Sequence, residues 1–218
     1  MNTLVKICCI STCEEAKLAI QYGASAIGLV SAMPSGPGPI DEALITKIAA
    51  TIPPGVSTFL LTSQQDAAAI IRQQHRTRVN TVQLVDAVSI ETLNILREEL
   101  PGVSLVQVIH VLGEDSIREA ECIAPYVNAL LLDSGNPNLA VKELGGTGRT
   151  HNWGISRTIC ATVHVPMFLA GGLKPSNIRE AIETVRPFGV DVCSGVRTDN
   201  RLDEQKLAEF MNQVTGTK

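Results

Sequence analysis

Eight short, continuous apolar runs rich in β-branched residues alternate along the chain with eight longer segments that carry helical spacing and charge. The short runs are Leu4–Ile10, Ala26–Val30, Val56–Leu61, Thr81–Val85, Ser104–Val111, Ala129–Asp133, Met167–Gly171 and Gly189–Ser194. Each has the length and continuity of a strand buried on both faces. Between and after them lie helical patterns, several with clear start and stop signals. Thr12 precedes Glu14 and Glu15 and then an apolar stripe that stops at Gly23, the order of a capped helix with acidic first-turn residues. Further helices are expected from Asp41 to the Pro53–Pro54 stop, and over Gln65–His75, Ser89–Leu100, Glu114–Ala124, Asn152–Thr162, Pro175–Val185 and Asp203–Val214. Pro175 is expected in the first turn of its helix. Strict alternation argues for a parallel sheet, because parallel neighbours need a crossover helix.

Length decides between the two parallel architectures. Eight strand–helix units in 218 residues predict an α/β fold, a (β/α)₈ TIM barrel of eight parallel strands, with residues 1–218 as one domain. The rival is an open doubly wound sheet. Its usual marker, a Gly-x-Gly-x-x-Gly turn after the first strand, is replaced here by Cys9-Ile10-Ser11-Thr12.

Composition narrows the function. Hydrophobic residues make up 44% and charged residues 18%, which is globular rather than disordered. A net charge of −4 with 3% aromatics offers neither the basic field nor the stacking platform of a nucleic-acid binder. No apolar run approaches the length of a membrane span, and the N-terminus lacks the marks of a signal peptide. The six cysteines are scattered without a Cys-x-x-Cys pair, and the four histidines show no ligand spacing. The expectations are therefore a cytoplasmic protein with reduced thiols, no metal, no cofactor, no nucleic-acid or membrane partner, and a monomeric or homodimeric state.

A barrel carries its active site at the C-terminal ends of its strands. Those exits present Lys6 and Cys8 on one face after strand one, Met33–Pro39 after strand two, Gln83 and Asp86 after strand four, and His110 after strand five. Asp133 ends strand six and is followed by Gly145-Gly146-Thr147-Gly148. Ala170-Gly171-Gly172 follows strand seven, and Cys193-Ser194-Gly195 follows strand eight. One glycine pair would mark only a turn. Three clusters on adjacent exits point to a phosphate held by bare backbone N–H groups, with Gly146, Thr147, Gly148, Gly171, Gly172, Ser194 and Gly195 as the candidate cradle. Asp133 closes a hydrophobic run, where partial desolvation raises a carboxyl toward a general acid's range. Cys8 carries a thiol that local tuning can make a base. An isolated buried Cys is more often a core filler and a strand-end Asp more often a cap. A thiol and a carboxyl facing each other across one mouth, beside a phosphate site, instead suggest acid–base chemistry on a sugar phosphate, the expected small-molecule partner.

With these residues placed, the chain resembles the phosphoribosylanthranilate isomerase family. The resemblance rests on Val5-Lys6-Ile7-Cys8, Ile27-Gly28-Leu29-Val30, Val82-Gln83-Leu84, Leu131-Leu132-Asp133-Ser134, Gly145-Gly146-Thr147-Gly148 followed by Trp153, Leu169-Ala170-Gly171-Gly172-Leu173, and Val190-Asp191-Val192 followed by Ser194-Gly195-Val196. It implies an Amadori rearrangement in tryptophan biosynthesis. Asp133 would donate a proton to the furanose ring oxygen, Cys8 would remove the C2 proton, and the glycine clusters would hold the phosphate. The departures are specific. The family's Ser-x-Arg after strand two, whose Arg pairs with the anthranilate carboxylate, reads Ser35-Gly36-Pro37-Gly38-Pro39. Its Gln-Leu-His-Gly reads Gln83-Leu84-Val85-Asp86, the glycine after the catalytic Cys is Cys9, and the Glu after Ser-Gly-Val is Arg197. Lys6, Gln83, His110 and Arg197 are the candidate substrate contacts, with Arg197 or His110 as a replacement for the missing Arg. The alternatives are an isomerase for a different aminoaldose phosphate and a non-catalytic sugar-phosphate-binding barrel.

Overall fold

A computed structural model describes residues 3–216. Its strands are β1 (Leu4–Ile7), β2 (Ala26–Val30), β3 (Ser57–Thr62), β4 (Thr81–Leu84), β5 (Ser104–His110), β6 (Ala129–Asp133), β7 (Met167–Leu169) and β8 (Gly189–Val192). The helices that follow them are α1 (Cys13–Gln21), α2 (Glu42–Ala49), α3 (Ala67–Thr77), α4 (Ile90–Glu99), α5 (Asp115–Ile123), α6 (Trp153–Thr162), α7 (Ile178–Val185) and α8 (Glu204–Thr215). All eight strands pair in parallel and in chain order, and β1 closes on β8 with Lys6 opposite Asp191 and Ile7 opposite Val192. The closed barrel is thus the architecture, and the open-sheet rival is excluded by the β1–β8 pairing.

Strand alternation divides the core into two layers. Residues facing the helices, such as Ile7, Ile27, Leu60, Leu84, Ile109 and Leu132, pack against Ile45, Ile70, Leu93, Ile159 and Phe210. Residues facing the barrel axis fill its interior, including Ala26, Phe59, Val106, Ala129, Leu131 and Phe168. Phe59 and Phe168 meet edge-on there, with ring centroids 5.9 Å apart. Gly189 leaves room for the Phe168 ring, since a Cβ there would fall 2.5 Å from it.

Local signals account for many of the helix ends. Thr12 accepts from Glu15 N at 3.0 Å, Asp41 from Leu44 N at 2.7 Å and Asp66 from Ala69 N at 2.8 Å, each satisfying a first-turn amide. Several strands stop earlier than their apolar runs do. β1 ends at Ile7 because Cys9 adopts a left-handed backbone, φ 61°. β7 ends at Leu169 because Gly171 and Gly172 both have positive φ. β8 ends at Val192, and Ser194–Val196 turns into one 3-10 turn. Pro175 is not in the first turn of α7. It lies in a turn before Ile178, while Asn177 reaches back to bond Lys174 N and Gly172 O. A two-stranded hairpin, β9 (Arg197–Thr198) with β10 (Arg201–Leu202), has no counterpart in the apolar pattern.

Phe210 on α8 is fully buried against the outer layer. Phe210→Ala is expected to lower the unfolding free energy by about 3–5 kcal/mol, measured by urea denaturation.

Candidate active site

Barrel closure brings residues more than a hundred positions apart onto one rim. Cys8, Gln83, Asp133, Gly146, Thr147, Gly148, Gly171, Gly172 and Ser194 line a single recess of about 670 Å³ at the C-terminal end of the strands. Gly195 sits behind Ser194. A Cβ there would fall 2.0 Å from Leu173 O, so only glycine lets the β8–α8 turn close against the β7–α7 loop. The Ser134 and Thr147 hydroxyls bond each other at 2.7 Å and join the β6–α6 loop to the end of β6.

The floor of this recess is buried and charged. Lys6 is fully buried, 2.9 Å from Asp191 Oδ1 and 5.2 Å from the Phe59 ring centre. Burial opposes the Lys6 charge, but the neighbouring Asp191 carboxylate outweighs it and holds the ammonium above its ordinary value. Cys8 is set below the ordinary thiol value. The adjacent Cys9 thiol is the largest influence, and Lys6 adds to it against the opposing pull of burial. Asp133 moves the other way. Burial raises its carboxyl, while the Ser134 amide donating to Oδ1 at 2.7 Å and the nearby His110 only partly counter this. The recess therefore offers a thiol biased toward ionisation and a carboxyl biased toward keeping its proton, which is what a base and an acid require.

The mouth is walled by loops that hold one another. Ser35 Oγ donates to Lys142 O, and Pro37 packs on Gly146. Met33–Pro39 is thus joined to the β6–α6 loop through Ser35 and Pro37. Lys142 in turn forms an ion pair with Asp86 at the exit of β4.

Of the four expected substrate contacts only Gln83 lines the recess, and the other three are engaged elsewhere. Arg197 faces away from the recess. Its guanidinium bonds Glu15 at 3.0 and 3.2 Å, Asn200 O at 2.9 Å, Cys8 O at 3.2 Å and Cys9 O at 2.6 Å. It is a clamp on the β1 exit, because the β9–β10 hairpin turns the side chain toward α1. His110 is also engaged, with Nε2 3.0 Å from Val85 O beside Asp133 on the adjacent strand. Lys6 lies beneath the recess rather than on its lining, its charge committed to Asp191. Asp191, Cys9 and Cys193, by contrast, line the recess and were not among the expected contacts. For Asp191 the sequence signal was a lone carboxylate inside an apolar strand. Among the described residues, no group of three or more His, Cys, Asp or Glu is placed to hold a metal ion, and no helix is long and apolar enough to cross a membrane.

The clamp has a measurable electrostatic consequence. Burial alone would raise the Glu15 carboxyl, but Arg197 and the Leu202 and Ser11 amides hold it below its ordinary value. Its stabilising contribution is complete above about pH 4.3 and is lost as pH falls through the lower folded-state value. Arg197→Met is expected to cost about 3 kcal/mol at pH 7, because Glu15 loses its charged partner and keeps only amide donors. Urea melts from pH 3 to 7 measure both the loss and the reduced acid dependence.

Comparison with known proteins gives a consistent result. The sequence profile of N-(5'phosphoribosyl)anthranilate (PRA) isomerase matches residues 5–213. N-(5'-phosphoribosyl)anthranilate isomerase 2 of Methanosarcina mazei is 37% identical over 212 residues, covering 96% of this chain and 93% of that one. The corresponding isomerase of Methanocella arvoryzae is 36% identical over 217 residues, covering 99% and 100%. Among solved structures, phosphoribosyl anthranilate isomerase from Thermotoga maritima superposes with a TM-score of 0.85 at 28% identity, covering 98% of this chain and 99% of that one. A second structure of such an isomerase, in complex with reduced 1-(o-carboxyphenylamino)-1-deoxyribulose 5-phosphate, superposes with a TM-score of 0.83 at 26% identity, covering 98% and 99%. The chain belongs to the N-(5'-phosphoribosyl)anthranilate isomerase family.

Proposed function

We propose that the protein is an isomerase that converts N-(5'-phosphoribosyl)anthranilate to its 1-deoxyketose by an Amadori rearrangement in tryptophan biosynthesis. The observation that carries this reading is the opposed pair in one recess. Cys8 is biased toward thiolate and Asp133 toward the protonated acid, with glycine-rich loops between them on the β6 to β8 side. Family membership and the ligand in the related complex support it.

The roles follow from the chemistry. Asp133 delivers its proton to the ring oxygen as the C1–O bond breaks, and the nitrogen lone pair forms the Schiff base. Cys8 thiolate then takes the C2 proton, and the C2–H electrons move to neutralise the iminium. The resulting enolamine tautomerises to the ketone. Gly146, Thr147, Gly148, Gly171, Gly172, Ser194 and Gly195 anchor the phosphate, and Gln83 contacts the substrate from the β4 exit. Anchoring the remote phosphate fixes C2 against Cys8 throughout.

One observation favours a second reading, an isomerase for a different aminoaldose phosphate. Among the described residues, no Lys or Arg lines the recess, although an anthranilate carboxylate is best met by a cation. Freshly prepared phosphoribosylanthranilate and its fluorescence decay decide between the two. Decay well above the uncatalysed rate supports the first reading, and none supports the second.

Cys8→Ser and Asp133→Asn are each expected to lower kcat by about 10²–10⁴-fold, because each removes a general acid–base group. Gly195→Ala is expected to raise KM by about 10- to 100-fold, by displacing the Ser194–Gly195 turn from the phosphate. Steady-state kinetics in the fluorescence assay measure all three.

A further inference from the structure

Cys9 occupies a backbone conformation that is costly for a residue with a side chain. Its φ of 61° places a non-glycine residue in the left-handed region at the exit of β1. The surroundings hold it there. Arg197 takes the carbonyls of Cys8 and Cys9 from one side. On the other side Gly38 closes over it so tightly that a Cβ on Gly38 would fall 2.7 Å from Cys9 Cβ, and the Cys9 thiol reaches Pro37 O at 3.6 Å. The turn has one further effect. Successive residues of a strand point to opposite faces, yet Cys8 and Cys9 both line the same recess.

We propose that Cys9 is a positioning residue for the Cys8 base: its thiol, held over the recess by the clamped left-handed turn, donates its proton to the Cys8 thiolate. A thiol is a weak donor toward Pro37 O, and an ionised Cys8 sulfur gives the same rotatable proton a charged acceptor. Cys9 retains that proton. The Cys193 and Cys8 thiols, and then burial, push it well above the ordinary thiol value. The other groups that bear on Cys8 are Lys6 on β1 and Asp191 on β8, and Asp133 at the end of β6 and Cys193 after β8 line the same recess. β2 offers Gly28 opposite Cys8, and Met33–Pro39 carries no titratable side chain. Lys6 is already committed to Asp191, and the third thiol of the recess, Cys193, bears on Cys9 and not on Cys8, so Cys9 is the donor placed for the thiolate.

The inference rests on Cys8 as the base, and its test uses no substrate. The pH dependence of Cys8 alkylation by iodoacetamide, read by tandem mass spectrometry of its peptide, gives the thiolate midpoint. Cys9→Gly suits the left-handed backbone and is expected to keep the melting temperature, and Cys9→Ala supplies the same truncation should glycine fail to fold. The truncation is expected to raise the midpoint by about one pH unit, roughly a tenfold loss of Cys8 thiolate below it. Cys9→Ser retains a donor and is expected to stay closer to wild type. The same midpoint in wild type, Cys9→Gly and Cys9→Ser overturns the proposal. The fluorescence assay decides the isomerase reading separately, so the two can fail independently.

Discussion

The pairing of β1 with β8 is the constraint on which the rest depends. It is the one strand contact that spans the whole chain, with Leu4 opposite Gly189 and Lys6 opposite Asp191. Without it the sheet has two open edges and the mouth does not exist as a ring. The closure also places a lysine and an aspartate 2.9 Å apart in a buried site. Such a pair costs desolvation on both sides and is tolerable only when each charge answers the other. The seam of the barrel and the electrostatic floor of the recess are therefore the same contact.

That floor sets the chemistry above it. In a water-poor setting each neighbour acts more strongly than it would at a surface. Asp133 has an amide donor and a nearby imidazole but no committed cation, so burial governs and raises the carboxyl above its ordinary value. Cys8 lies beside another thiol and a buried ammonium, so its charge is favoured. Two groups in one cavity are driven in opposite directions by what stands next to each.

Much of this was legible in the order of residues. The eight β-branched runs and their capped helices marked the barrel, because period and length are local properties. Asp133 at the end of Ala129–Leu132 and the glycine clusters at three neighbouring exits marked one rim, because strand direction fixes which ends share a face. The strand ends were read too long at Cys8–Ile10, Ala170–Gly171 and Cys193–Ser194. The backbone turns through left-handed residues at the first two, Cys9 being clamped by distant Arg197, and into a 3-10 turn at the third. Arg197 shows the same limit more sharply. Its position after strand eight fits a substrate contact, yet its side chain runs to Glu15, 182 residues away. The direction of a loop side chain follows from where its partners lie, and the β9–β10 hairpin that aims it has no apolar periodicity to announce it.

The sequence by itself determined the strand–helix alternation, the parallel sheet, the residue types at each strand exit and the membership that those motifs carry. Each of these depends on neighbours within one or two turns or strands. Only the tertiary structure decided that Arg197 is a clamp, that Lys6 is bound to Asp191, that Lys142 pairs with Asp86 and that Cys9 shares a face with Cys8. These depend on contacts between segments far apart in the chain. Charged and polar groups in a closed barrel must find partners wherever the fold brings them, and that geometry exists only once the ring is shut.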